Sequence, residues 1–279
     1  MRRKRKKVDV SYEKLCSKNN KTSDAISDTV PISYARMDKK ADTKKTARTL
    51  IHPYIVLSLG GSLVIPPAGI DVRFVKHFHA LLRRYIRRGW RFVIICGGGT
   101  LARQYQEALR ESGVADGTLL DWIGIHACRM NAQYVRMIFG KDAREGIIMT
   151  PTHVRRADFG HAHVLVGGGE KPGQTSDHVA VQCAINVKAT TLINLSNIDS
   201  IYDRDPKKKG ARPLSRLAWR TFKTLFPAHH SPGAHVPFDP VATRLASRHG
   251  MTVCFLDGRD FKALDAALRG LAFRGTIVS

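Results

Sequence analysis

Three apolar runs feed directly into glycine clusters: YIVLSL at 54–59 before Gly60-Gly61, RFVIIC at 91–96 before Gly97 to Gly99, and HAHVLVGGG at 161–169. No other feature restricts the fold so tightly. RFVIIC lacks the alternation of a half-exposed strand, so it needs cover on both faces, as strands of a parallel α/β sheet receive. A glycine at the end of such a strand lets the backbone approach an anion closely, and a following helix N-terminus offers N–H donors. Ligands of open α/β sheets gather beyond the carboxyl ends of the strands. Three clusters at equivalent strand ends therefore predict a phosphate-binding edge rather than three ordinary turns. The spacing is neither G-x-G-x-x-G nor a P-loop, because no G-K-[ST] follows. Dinucleotide dehydrogenases and Walker-type ATPases are set aside on that ground.

The stretches between these runs have helical spacing. DVRFVKHFHALLRRYIRR places Phe74, Phe78, Leu81, Leu82 and Tyr85 on one face behind an Asp71 start signal. Further helices are expected up to about Arg110, over about 119–139, in SDHVAVQCAIN, in DPVATRLASRHG from Asp239, and in DFKALDAALRG. ATTLINLSN, MTVCFL and GTIVS read as strands. This alternation predicts an α/β fold with a largely parallel sheet and helices on both faces.

Residues 1–50 differ: fifteen Lys or Arg stand against six Asp or Glu, a net +9 of the chain's formal +23. They show no periodicity and have too few apolar side chains to offset ordering entropy, so a disordered basic extension is expected. Its RRKRKK cluster at 2–7 reads as a solvated tail, with contact to nucleic acid or an acidic surface as the alternative, and Met37 is a candidate start. A chain of 279 residues, 43% hydrophobic, suffices for one sizeable core or two coupled lobes. Its positive charge favours anionic partners. Cys16, Cys96, Cys128, Cys183 and Cys254 form no C-x-x-C pair, which suits a reducing compartment. No apolar run approaches the ~20 residues that span a bilayer, so a cytoplasmic protein without membrane contact is expected. His161 and His163, and the group His229, His230 and His235, lack zinc-ligand spacing.

Six segments carry more than their composition. LSLGGS, VIICGGGTLARQY, DWIGIHACRMNAQ, GGGEKPGQTSDHVA, NLSNIDSIYDRDPKK and FDPVATRLASRHG stand in the order found in the amino-acid-kinase superfamily. Within it they most resemble the UMP kinases of the archaeal type, from about Tyr54 to Val278. The resemblance implies a three-layer αβα sandwich with a mainly parallel central sheet. It also implies an N-terminal lobe for UMP (51–170) and a C-terminal lobe for ATP (171–279). The implied reaction converts ATP and UMP to ADP and UDP with Mg²⁺, by a homo-oligomer, in these kinases usually a hexamer and often inhibited by UTP. Phosphoryl transfer of this kind needs alignment and electrostatic stabilisation more than a protein nucleophile.

By the same resemblance Gly60, Gly61 and Ser62 match the loop over the transferred phosphoryl group. Gly97 and Gly98 match the cradle of the UMP phosphate, which Arg103 pairs through its planar fork. Asp121 matches the carboxylate for the ribose hydroxyls, with an N-cap as its structural alternative, and Gly124 and Asn131 follow on the UMP side. Thr175 approaches UMP, Asp177 organises Mg²⁺ or a lysine, and Ser176 reads equally as a helix cap. Asn197, Asp199, Tyr202, Asp205 and Pro206 match the ATP segment, with Tyr202 near the adenine.

Two positions depart from the pattern. Ser58 stands where many members place a lysine, so another cation is needed: Mg²⁺, Lys171, or one of Lys207, Lys208 and Lys209, with Lys171 and Lys207 favoured. Ser200 replaces a glycine; if that site needs positive φ, a serine costs of order 1 kcal/mol. An isopentenyl phosphate kinase is the competing enzyme reading, opposed by Cys96 where those enzymes carry a histidine. A non-catalytic nucleotide-sensing or anion-storage protein is the competing non-enzyme reading.

Overall fold

The computed structural model describes residues 54–226 and 236–279. The expectations for residues 1–50, for Cys16 and for His229, His230 and His235 lie outside them. β1 (Tyr54–Leu59) passes through a one-turn helix, α1 (Gly61–Val64), into α2 (Val72–Ile86). β2 (Arg91–Cys96), α3 (Gly99–Glu111), α4 (Gly117–Phe139), β3 (Val164–Gly167), α5 (Ser176–Asn186) and β4 (Thr191–Ser196) follow. Three short strands come next, β5 (Ile201–Tyr202), β6 (Pro213–Leu214) and β7 (Arg216–Leu217), and then α6 (Trp219–Leu225). After α7 (Pro240–Arg248) the chain ends in β8 (Thr252–Asp257), α8 (Phe261–Leu268) and β9 (Thr276–Val278).

Seven strands form one sheet in the order β3-β2-β1-β4-β8-β9-β7. The first five are parallel, β9 is antiparallel to β8, and β7 runs parallel to β9. β5 and β6 pair separately. Period-two alternation sorts each strand's side chains between the faces. Ile55, Leu57 and Leu59 of β1 pack with α2, α4 and α8, whereas Val56 joins Leu192 of β4 under α5, α6 and α7. Buried apolar side chains on both faces explain why β2 reads as an uninterrupted apolar run. The result is the expected three-layer αβα sandwich with a mainly parallel sheet.

From β1 the chain moves outward to β2 and β3, then crosses back to β4 and β8 on the other side. The reversal lies between β1 and β4, a topological switch point where ligands of such sheets bind. The stretches 51–170 and 171–279 meet at this seam and share its hydrogen bonds.

Asp71 and Asp239 cap α2 and α7 as the sequence predicts, accepting from the amides of Phe74 at 2.9 Å and Ala242 at 2.8 Å. Two other cap expectations are corrected. Asp116, not Asp121, caps α4, accepting from Leu119 N at 3.0 Å, because α4 begins earlier and carries Asp121 inside its first turns. Thr175, not Ser176, caps α5: its extended backbone (φ −88°, ψ 161°) is the conformation an N-cap requires.

Candidate active site

The glycine turn after β1 and the one after β2 interlock at the carboxyl edge of the sheet. A Cβ on Gly61 would lie 2.3 Å from Gly97 O and 2.5 Å from Gly99 N, and one on Gly99 would meet Gly61 C at 2.3 Å. Backbone has taken the space of side chains here, and Gly99 also holds a positive φ of 58°. Gly60 is tied across the seam, donating to Leu195 O of β4 at 2.8 Å. Beneath these loops Asn131 is fully buried and donates to Gly97 O at 2.8 Å and Gly98 O at 3.3 Å, while its Oδ1 has no partner. Asn131 thus positions the loop from behind. Arg103 reaches over the front, donating to Ser62 Oγ at 2.9 Å and Thr100 Oγ1 at 3.2 Å. The third cluster has a different cause. Cβ atoms on Gly168 and Gly169 would lie 2.8 Å from Cys128 C and 3.0 Å from Ile125 Cγ1, so these glycines let the chain pass against α4.

The alternation of β1 puts Ser58 on the α5 face, directly opposite Asn194 of β4. Both side chains point at the first turn of α5 and donate to Asp177 Oδ1, Ser58 at 3.0 Å and Asn194 at 2.9 Å. Asp239 faces the same carboxylate. Burial pushes the Asp177 carboxyl up to about 6, with the Asp239 charge adding and the hydrogen bonds from Ser58, the Asp239 backbone and Asn194 opposing. The position where a lysine was looked for therefore holds a hydroxyl that orients a carboxylate. Asn194 and Asp239 escaped notice as partners of Asp177, although the D-P of FDPVATR sat in a recognised segment.

On the α4 side Asp121 accepts from Gly173 N at 2.8 Å. This bond pins the GGGEKPGQTSD loop, with exposed Lys171, over α4. Gly124 faces Gln106, with 3.0 Å from its virtual Cβ to Nε2, so it allows α3 and α4 to approach.

On the β4 side Asn197 Oδ1 accepts from Arg259 Nη1 at 2.8 Å, and Arg259 Nη2 donates to Ser62 O at 3.3 Å. Asp199 accepts from Arg274 at 2.7 Å and from the Tyr202 hydroxyl at 3.3 Å. Asp205 shapes the turn between β5 and β6 by accepting from Lys207 N at 2.9 Å, with Pro206 and the Lys207 side chain exposed. Ser200 is unstrained: among the described residues only Lys188 is a non-glycine with positive φ, and Ser200 is buried with its hydroxyl on Asp199 O at 2.8 Å. Arg259 and Arg274 were missed. The signal for Arg259 was a glycine-arginine pair directly after the apolar strand MTVCFL, the same strand-end position that drew attention to the other loops.

A model of the amino acid kinase family matches residues 53–257. A uridylate kinase of Methanospirillum hungatei is 35% identical over 81% of this chain and 95% of its own length. One of Aeropyrum pernix is 31% identical over 80% and 98%. The crystal structure of uridylate kinase from Archaeoglobus fulgidus superposes with a TM-score of 0.69 at 28% identity, covering 81% of this chain and 99% of that one. With the family model over residues 53–257 and relatives 31% and 35% identical along most of their own length, the chain belongs to the amino acid kinase family.

Proposed function

We propose that this chain transfers the γ-phosphoryl group of ATP to UMP, giving UDP and ADP, a step of pyrimidine nucleotide biosynthesis. The observation that carries this reading is the pair of interlocked glycine turns flanking a part-buried carboxylate at the β1–β4 switch point, in a chain whose relatives are uridylate kinases over four fifths of its length.

UMP lies over α3 and α4. The Gly97 and Gly98 amides and Arg103 take its phosphate, and Asp121 and Thr175 hold the nucleoside side. Arg103 already donates to Ser62 Oγ, next to Gly61. ATP lies over β4 and the turn after it, with Asn197, Asp199 and Tyr202 on the nucleotide and Gly60, Gly61 and Ser62 under its phosphates. The two phosphate chains then meet above Ser58 and Asp177, in line, which is the alignment phosphoryl transfer demands.

Mg²⁺ fits this site only as an ion shared with the phosphates. Among the described residues no three His, Cys, Asp or Glu side chains gather as a cage. Asp177 is a carboxylate held part-buried without a cation partner, as its raised pKa reports, and Mg²⁺ sites of nucleotide enzymes use one or two carboxylates plus phosphates. An ion held by Asp177 would supply positive charge to stabilise the transferring group. Ser58 and Asn194 fix the orientation of the carboxylate that faces it.

ADP release by the purified protein with Mg·ATP, with UMP, CMP, dTMP or isopentenyl phosphate as acceptor, tests the reading. UMP is expected to be turned over at least about tenfold more efficiently than the others, a margin of about 1.4 kcal/mol. Equal or greater turnover of another acceptor would refute it.

A further inference from the structure

The family pattern leaves one charge unaccounted for: Ser58 is neutral and already committed to Asp177. Of the lysines favoured from sequence, Lys171 hangs on the loop pinned to Asp121, and Lys207 lies exposed in the turn between β5 and β6. Among the described residues neither side chain makes a hydrogen bond to the Gly60–Ser62 turn. Arg259 does. Its guanidinium bridges Ser62 O, at the turn, and Asn197 Oδ1, in the segment after β4. The backbone is built to deliver it: Gly258 donates to Ser196 O at 2.9 Å, and a Cβ on Gly258 would lie 2.2 Å from Leu63 Cδ1. A side chain there would push Leu63 aside, so glycine favours the close approach of this loop to α1, and Asp257 accepts from Arg259 N at 2.9 Å to hold the bend.

We propose that Arg259 is the cation of the glycine turn, contacting the β- and γ-phosphates of ATP in place of the lysine that Ser58 displaces. Ser62 and Asn197 take two of the five N–H donors of the guanidinium, and the Arg259 side chain is otherwise exposed. Fork geometry suits phosphate oxygens. Arg103 then serves the acceptor phosphate and Arg259 the donor phosphates, from opposite sides of Ser62, whose Oγ and O they respectively hold.

The assignment rests on the phosphoryl-transfer reading, and the test separates the two. Arg259→Gln, Arg259→Lys and, as a charge control, Lys262→Gln on α8 are compared with wild type for kcat, for KM of ATP and UMP, and for ATP affinity by calorimetry. Loss of a preorganised donor of this kind costs about 10²-fold in turnover. R259Q is expected to lose about 10²-fold in kcat/KM for ATP, with KM for UMP moving less than about threefold. R259K is expected to return within about tenfold of wild type, and K262Q to be unchanged. A purely structural bridge would predict the reverse: R259K as impaired as R259Q, or a lowered melting temperature with kcat/KM for ATP within about threefold. Either result overturns the proposal. If wild type turns over no acceptor, the kinase reading fails, and calorimetry still decides the role of Arg259. About tenfold weaker ATP binding by R259Q then supports it, and equal binding refutes it.

Discussion

A serine in a strand becomes informative once its partner is known. Ser58 faces α5 because β1 alternates, and its hydroxyl, with the Asn194 amide, holds Asp177 in a buried setting that resists ionisation. The sign of the consequence follows from linkage. Asp177 titrates near 6 in the folded chain against an ordinary 3.8, so the folded state holds the proton more tightly than the unfolded one. This group therefore lowers stability as pH rises from about 4 through about 6, and its cost is complete above that range. Asp177→Asn is expected to melt higher than wild type at pH 8, by on the order of 1–3 kcal/mol, with no gain at pH 4. It is also expected to lose nearly all turnover, and wild-type turnover should rise as pH passes about 6. Urea titrations at the two pH values check the stability difference; an Asp177→Asn variant no more stable than wild type at pH 8 would contradict it. Reading the sequence exposed Asp177 and Ser58 separately, each through its motif. Their contact, 119 positions apart, and that of Arg259 with Ser62, 197 positions apart, depend on strand order, which no local pattern encodes.

Elements were far more legible than contacts. β1, β2, β4 and β8 are mainly apolar because both faces are covered, with Ser58 and Asn194 as polar exceptions that serve the site, and α2 and α7 announce themselves through an aspartate cap and a helical stripe. β5, β6, β7 and α6 went unread: the strands have two residues each and α6 seven, too short for any periodicity to emerge. The antiparallel direction of β9 was equally hidden, since GTIVS reads the same either way. Glycines divide by cause: Gly61, Gly97 and Gly99 make room for each other's backbone, Gly60 for β4, and Gly98, Gly168 and Gly169 for neighbouring helix atoms. Gly61→Ala, which forces a Cβ to 2.3 Å from Gly97 O, is expected to destabilise by about 2 kcal/mol and to cut turnover at least about tenfold. Gly117→Ala, with nothing within 4 Å of the new Cβ, should stay within about 0.5 kcal/mol. Thermal melts of the pair decide this, and equal melting temperatures would contradict the interlocked turns.

At the scale of the molecule, the sequence order β1-β2-β3 and then β4-β8 becomes a sheet that reverses at its centre. On the proposed reading the reversal brings two nucleotide phosphates face to face: one half of the chain supplies Arg103 and the Gly97 loop, the other Asp177, Asn194 and Arg259, and β1 is shared between them. A formal charge of +23 suits anionic substrates on both sides. No helix among the described residues is long and apolar enough to cross a membrane. The central claim is that the phosphoryl group passes directly between the two substrates across this seam. The most direct measurement follows the label from [γ-³²P]ATP in the presence of UMP. Label appearing in UDP, in amounts equal to the ADP formed and absent when UMP is omitted, is the result predicted. Label released as inorganic phosphate, or retained on the protein with no labelled UDP, would contradict it.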